Sequence, residues 1–316
     1  MNVLVIGRGS IGRQHVATLA SLKKTLGLTV HIFEPSSHGS AYYRELARAL
    51  ERLRIQAAFV CNPTSMHAKT TLACLDAGVH VFVEKPIASA YDKKIFDTMA
   101  RQAKKKKLTL MVGYDMRFSP WIVKAKELVE SGAIGKVVGA RIMAGQYLPH
   151  WRPGQEYRTS YSAKKALGGG VLLDLSHELD YLLWLMPKKV AGVVGERVHT
   201  GHLPIETEDI ASITVRFADK SLAHVYLDYL TVPYRRSMEL YGEEGTLLWD
   251  MNAGTLRIHK SATGTWQNYS VPKAEATGKA MFKSELAHFF DCIKHKKEPI
   301  NSLKNAVAVM ELIRKI

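Results

Sequence analysis

The sequence predicts an α/β protein in two parts: a parallel, doubly wound sheet, then an α+β domain with an open, mostly antiparallel sheet. Three observations predict it. Strand and helix signals alternate over the first 120 residues, longer β-rich runs replace them after about residue 135, and helical stretches close the chain.

Each element follows in order. Residues 3–6 ("VLVI") form a short apolar strand, and residues 10–22 a helix. "TVHIFE" (29–34) is a second strand, 41–50 a helix, "AAFVC" (57–61) a third strand, and 67–78 a helix stopped by Gly78. "VHVFVE" (79–84) is a fourth strand, followed by a helix over 89–105 and a strand at 108–112. Short strands joined by helices of this length pair in parallel through right-handed crossovers. A helix over 121–131 is broken by "GAIG". The β-rich runs are 136–147, 190–199, 209–217, 222–230, 236–241, 246–250 and 255–259. "ASITVRF" alternates apolar and polar residues, as a strand with one wet face does. Helices follow at 281–294 and 302–315. The boundary at Ser119–Pro120 gives domains 1–119 and 120–316, with the last helix free to pack back on the first domain.

Composition narrows the class. The 316 residues are 47% hydrophobic and 23% charged, enough for a substantial core. Three cysteines, Cys61, Cys74 and Cys292, show no metal spacing and fit a reducing compartment, so no metal is expected. The chain starts in a strand-like run without a basic leader, and no apolar stretch has membrane-spanning length. The expectation is a cytoplasmic protein with no membrane contact. A net charge of +15 raises the question of nucleic acid. The densest run, Lys104–Lys107, is the solvated end of a helix before "LTLMVG", with no interleaved aromatics, so nucleic acid is not the expected partner. An anionic small molecule accounts better for the charge.

The chemistry starts at Gly7-Arg8-Gly9-Ser10-Ile11-Gly12, a G-x-G-x-x-G between strand and helix. The first glycine permits the tight turn, the second lets backbone approach a pyrophosphate, and the third lets helix pack on strand. Glu34 ends the second strand, 22 residues after Gly12. A carboxylate there accepts from both ribose hydroxyls and repels a 2′-phosphate, so NAD is expected over NADP. Were NADP preferred, Ser36, Ser37 and His38 would hold its extra phosphate. "CNPTSMH" after the third strand places Asn62, Pro63 and His67 at the cofactor edge of a parallel sheet. Glu84-Lys85-Pro86 follows the fourth strand, and Lys85 there suits hydrogen bonding to a reacting oxygen. The alternatives are a capped turn for the first segment and a solvated loop lysine for the second.

"GGGVLLDLSHELDYLLWL" (168–185) is apolar almost all round, as a buried helix is, yet carries Asp174, His177, Glu178 and Tyr181. Those spacings place all four on one face of a continuous helix. Burying such groups is costly unless they are paired or serve a site. Before it, "YLPHWRPGQEYRTSYSAKKA" supplies Trp151, Arg152, Tyr157 and Arg158. Aromatic faces suit a sugar ring, and arginines suit a phosphate or carboxylate.

With "GRGSIG" (7–12), "CNPTSMH" (61–67), "EKPIA" (84–88), "GYDMRFSP" (113–120), "SGAIGKV" (131–137) and "GGGVLLDLSHELD" (168–180) in order, the chain resembles the glucose–fructose oxidoreductase, inositol dehydrogenase and rhizopine-catabolism family, Gfo/Idh/MocA. The resemblance implies an N-terminal Rossmann domain and NAD(P)-dependent oxidation or reduction of a sugar-like carbinol. It implies Lys85 as the catalytic lysine, a cis bond before Pro86, a homodimer or homotetramer, and a substrate region that includes Tyr114 and Arg117. The sequence departs from the family where Glu178 stands in place of the usual histidine and His177 lies one position early. Either His177 or Glu178 then serves as the acid–base partner, with Asp174 alongside. Of these His177 is the preferred reading, because an imidazole titrates near neutral pH. Lys85 and this polar face are expected to meet at one substrate oxygen. A non-catalytic, dinucleotide-sensing regulator on the same fold is the alternative from another class.

Overall fold

Val3, Leu4, Val5 and Ile6 are all buried, four apolar residues in a row with no alternation. Such a strand is covered on both faces. In the computed structural model, which describes residues 1–35 and 37–316, it is the central strand of a parallel sheet. The chain divides into two compact units, Met1–Asp115 with Gly278–Met310, and Met116–Thr277 with Glu311–Ile316.

The first unit runs β1 (Asn2–Ile6), α1 (Ser10–Leu26), β2 (Thr29–Phe33), α2 (Gly39–Arg52), β3 (Ala57–Val60), α3 (Thr64–Asp76), β4 (His80–Glu84), α4 (Lys93–Lys106) and β5 (Leu110–Gly113). The strand order is β2-β1-β3-β4-β5, all parallel. The order reverses between β1 and β3, so right-handed crossovers put α1 on one face and α2, α3 and α4 on the other. α1 packs on α8 (Gly278–His295), whose Phe289 meets Phe59 and Phe82 at ring centroid distances of 5.5 and 5.8 Å. The edge strand β5 is covered by Asn301, which accepts from the Val112 amide and donates to the Val112 carbonyl. α4 starts at Lys93, later than the expected 89, because the Asp92 carboxylate caps the amides of Lys94 and Ile95 at 2.9 and 3.1 Å.

In the second unit α5 (Pro120–Glu130) opens with proline in its first turn. The sheet order is β13-β12-β11-β10-β6-β9-β8-β7, with β6 (Val137–Gly145), β7 (Val190–Val198), β8 (Ile210–Phe217), β9 (Leu222–Asp228), β10 (Arg235–Gly242), β11 (Gly245–Asp250), β12 (Thr255–Lys260) and β13 (Thr265–Tyr269). All neighbours are antiparallel except β6 and β9. Short α6 (Val171–Asp174) and α7 (His177–Leu185) lie on this sheet, and α9 (Leu303–Ile313) carries the chain from the first unit back into the second. β13 is absent from the sequence reading. It is an edge strand exposed along almost its whole length, so no buried period marks it.

Candidate active site

The order reversal at β1 and β3 opens a crevice at their C-terminal ends, and the glycine loop sits there. Gly7 has φ +102°, and a Cβ on it would lie 2.6 Å from the Cys61 carbonyl oxygen and 2.7 Å from the Asn62 nitrogen. A Cβ on Gly12 would lie 2.1 Å from the Gly7 oxygen. These two glycines let loop, neighbouring strand end and helix close on one another. Gly9 differs, since a Cβ there meets nothing within 4 Å. It is the N-cap of α1 and supplies no side chain for the amides of the first turn. Open space over unpaired helix amides fits a dinucleotide pyrophosphate. Beside the loop, the Asn62 amide NH2 donates to the Tyr42 and Thr70 hydroxyls, while its buried Oδ1 has no partner among the described residues.

Glu34 follows β2, and Arg8 pairs with it at 2.7 Å, both largely exposed. The expectation placed Glu34 against ribose without foreseeing that Arg8 also reaches it. Ser36 lies outside the described residues.

Lys85 is half-buried after β4, and its peptide bond to Pro86 is cis, as the resemblance implied. Buried Glu84 accepts from the Lys85 amide at 3.2 Å and meets Nε2 of His15 at 2.5 Å. His15, on α1, is fully buried among the rings of Phe59, Phe82 and Phe282. Its Nδ1 has no partner among the described residues, so the proton belongs on Nε2, facing the carboxylate. His15 was missed from sequence, because nothing local ties it to a partner 69 residues away.

His67 requires a correction. It was expected at the cofactor, but it is 2% exposed and both ring nitrogens face backbone carbonyls: Nδ1 is 2.7 Å from Pro86 O and Nε2 2.8 Å from Asn62 O. Burial pushes its pKa below the usual histidine value, against the pull of the two carbonyls. Its polar atoms are committed to the protein.

In the second unit the expected continuous helix over 171–185 is two helices. Leu175, at φ −99° and ψ 31°, leaves helical geometry, and α7 starts afresh at His177. The break sets Asp174 on α6 apart from His177, Glu178 and Tyr181 on α7. Asp174 accepts from the Tyr229 hydroxyl at 2.6 Å, and Tyr161 shares the same carboxylate. Burial, then the nearby Asp174 charge, holds both phenols above their ordinary pKa. Glu178 is fully buried and paired at 2.7 Å with Nε of Arg236, with Tyr181 beside it. His177 alone of the four is half-exposed.

Arg117 also departs from expectation. It is 2% exposed and grips Asp180 with two bonds, Nε to Oδ2 at 2.7 Å and Nη2 to Oδ1 at 2.8 Å, under the Trp184 ring. A guanidinium so engaged has its fork filled and is a structural anchor. Tyr114 is fully buried in the first unit. In the 147–167 loop Arg158 and Lys165 are exposed, and Arg152 and Lys164 are half-buried. Arg152 stacks between Trp151 and Tyr161 at 5.9 and 5.2 Å, and exposed Arg158 lies on Tyr157 at 5.4 Å beside Glu156. Glu208, overlooked in the sequence, bonds the Leu172 amide at 3.3 Å, and a Cβ on Gly170 would lie 2.4 Å from its carboxylate. Among the described residues no cluster of His, Cys, Asp or Glu is arranged to hold a metal, and no helix is long and apolar enough to cross a membrane.

Comparison with known proteins agrees with these features. Residues 1–114 match the family model for an oxidoreductase family with an NAD-binding Rossmann fold, and residues 122–248 match the GFO/IDH/MocA C-terminal domain. Myo-inositol 2-dehydrogenase of Thermotoga maritima is 26% identical, over 79% of this chain and 75% of its own. 2,7-Anhydro-N-acetylneuraminate hydratase of Escherichia coli is 27% identical, over 82% and 70%. The fold is shared with levoglucosan dehydrogenase crystallised with NADH and levoglucosan, at a TM-score of 0.81 and 20% identity, covering 100% of this chain and 96% of that one. The glycine loop, the Lys85 segment and the eight-stranded second sheet thus have one common origin: the chain belongs to the GFO/IDH/MocA family of oxidoreductases, with its NAD-binding Rossmann fold.

Proposed function

We propose that the protein transfers hydride between NAD and a carbinol of a sugar or sugar derivative bearing an anionic group, free or nucleotide-linked. One observation carries the reading. β1, β2 and β4 are parallel, so the opening at Gly9, the Glu34 carboxylate and Lys85 all follow strand ends on one edge of one sheet. Bound nicotinamide takes up or delivers the hydride. Lys85 hydrogen-bonds the substrate oxygen and moves its proton. His177 is the proposed second proton carrier, supported by its exposure against the buried pairing of Glu178. Asp174 positions substrate-facing groups through Tyr161 and Tyr229. Arg152 and Arg158 supply the anion contact, with Trp151 and Tyr157 against the ring. Relatives named for inositol and for a neuraminate derivative support a polyol or acidic sugar. Buried, unpaired cysteines fit the cytoplasm, and the open sheet face fits a homo-oligomer.

The test is a thermal-shift screen of NAD(H) with sugars, sugar acids, sugar phosphates and nucleotide sugars, followed by turnover of the hits. Lys85→Ala is expected to lower kcat by roughly 10²–10⁴-fold with NAD affinity nearly intact. Wild-type turnover in that variant would remove Lys85 from the chemistry.

A further inference from the structure

Lys85 leaves the sheet between two residues that are both held by buried histidines. On its N-terminal side, Glu84 is gripped by His15 at 2.5 Å and itself accepts from the Lys85 amide. On its C-terminal side, the Pro86 carbonyl faces His67 at 2.7 Å. The two histidines come from different helices. His15 is one turn past the glycine loop on α1, and His67 stands in the first turn of α3. His67 also reaches the Asn62 carbonyl at 2.8 Å, so it ties the end of β3 to the end of β4. Both histidines are fully or almost fully buried, at 0% and 2% exposure, which is a costly place for an imidazole without a task.

We propose that His15 and His67 are positioning residues that fix the backbone on either side of Lys85, and so set the direction of its amine. The proposal rests on the reading of Lys85 as the proton carrier and extends it. Precise placement of a catalytic group is worth more than its identity alone, and side chains locked by a supporting shell provide it. His15 couples Lys85 to the helix of the cofactor loop, and His67 couples it to the Asn62 turn. A neutral imidazole donates one bond, from whichever ring nitrogen carries its proton, so His67 lies between the two carbonyls and donates to one of them. Glutamine at 67 keeps one such bond and phenylalanine none.

The experiment reads Lys85 without turnover. The full-length protein is labelled with trace acetic anhydride, and acetylation of Lys85 is measured by peptide mass spectrometry against exposed Lys104 and Lys105 as internal references. Variants are His15→Phe, His15→Gln, His67→Phe and His67→Gln, with melting curves to confirm folding. Lys85 labelling is expected to rise about fivefold in each folded phenylalanine variant, the weight of one lost hydrogen bond, with the glutamine variants in between. Labelling within twofold of wild type in the folded phenylalanine variants overturns the proposal. If those do not fold, unchanged labelling in the glutamine variants overturns it. The underlying reading fails separately. Should labelling rise while Lys85→Ala turns over normally, the histidine bracket stands and Lys85 is not the proton carrier.

Discussion

At the scale of single residues, Glu34 shows how one neighbour alters a reading. Alone it repels a 2′-phosphate, yet Arg8 lies 2.7 Å away and partly neutralises it. The pair is solvent-exposed, so it holds together weakly and yields to a bound ribose. Glu34→Ala should therefore release Arg8 to meet a 2′-phosphate. Calorimetry is expected to show NADP affinity rising and NAD affinity falling, each about tenfold, the weight of a charge-assisted hydrogen bond. Unchanged NADP affinity would mean that Arg8 does not reach the phosphate. His177 and Glu178 separate by a different measurement. Glu178→Gln breaks the ion pair of fully buried Glu178 with Arg236, whose side chain is 11% exposed, and should lower stability by about 3 kcal/mol in denaturant melts. His177→Asn should leave stability within about 0.5 kcal/mol and cost roughly 10²-fold in kcat. The reverse pattern would hand the acid–base role to Glu178. The places of Lys85 and Glu34 at the ends of β4 and β2 were legible in the sequence because each sits at a fixed offset from a local motif. The anchoring of Arg117 by Asp180 was not, because the partners are 63 residues apart and pairing is a property of the folded chain.

At the scale of elements, the glycine loop divides into glycines the fold needs and one that ligand needs. Gly7 has no room for a side chain and a positive φ, and Gly12 has no room. Gly9 has both room and an ordinary φ of −65°. Gly12→Ala is expected to lower the melting temperature. Gly9→Ala should melt like the wild type while binding NAD at least tenfold more weakly, because its methyl enters the space for the pyrophosphate. A Gly9→Ala variant with native NAD affinity would place the pyrophosphate elsewhere. The loop was legible because strand, motif and helix adjoin. The 171–185 segment was misread as one helix for a physical reason. Its apolar residues run nearly all round, so no periodicity reports the break at Leu175, and the partners on either side of it, Tyr229 and Tyr161 for Asp174 and Arg236 for Glu178, are not its neighbours in sequence.

At the scale of the whole molecule, the eight-stranded sheet presents two unlike faces. Across one row of paired residues, Ile213, Val225, Ile142, Met238, Trp249 and Leu256 are all buried. The adjacent row, Val194, Thr214, His224, Arg141, Glu239 and Leu248, points to the other face and is exposed or half-exposed. Val194 is 77% exposed, an apolar residue left on the surface of one unit. Seven strand spacings of about 4.8 Å and strand lengths near 20 Å give this face roughly 700 Å² in projection. That approaches the area of about 800 Å² per partner that a stable interface buries. A second copy of the chain meets these terms, since a twofold axis lays the same face on itself. Light scattering after size-exclusion chromatography should then give twice or four times the 35.3 kDa chain mass. Thr214→Arg with Leu248→Arg places two like charges on each copy of the face and none in the core. It should lower the assembly to half its mass or less while far-UV circular dichroism stays native. A wild-type protein that elutes as a monomer at micromolar concentration would show that this face stays wet, and its apolar residues would need another cover.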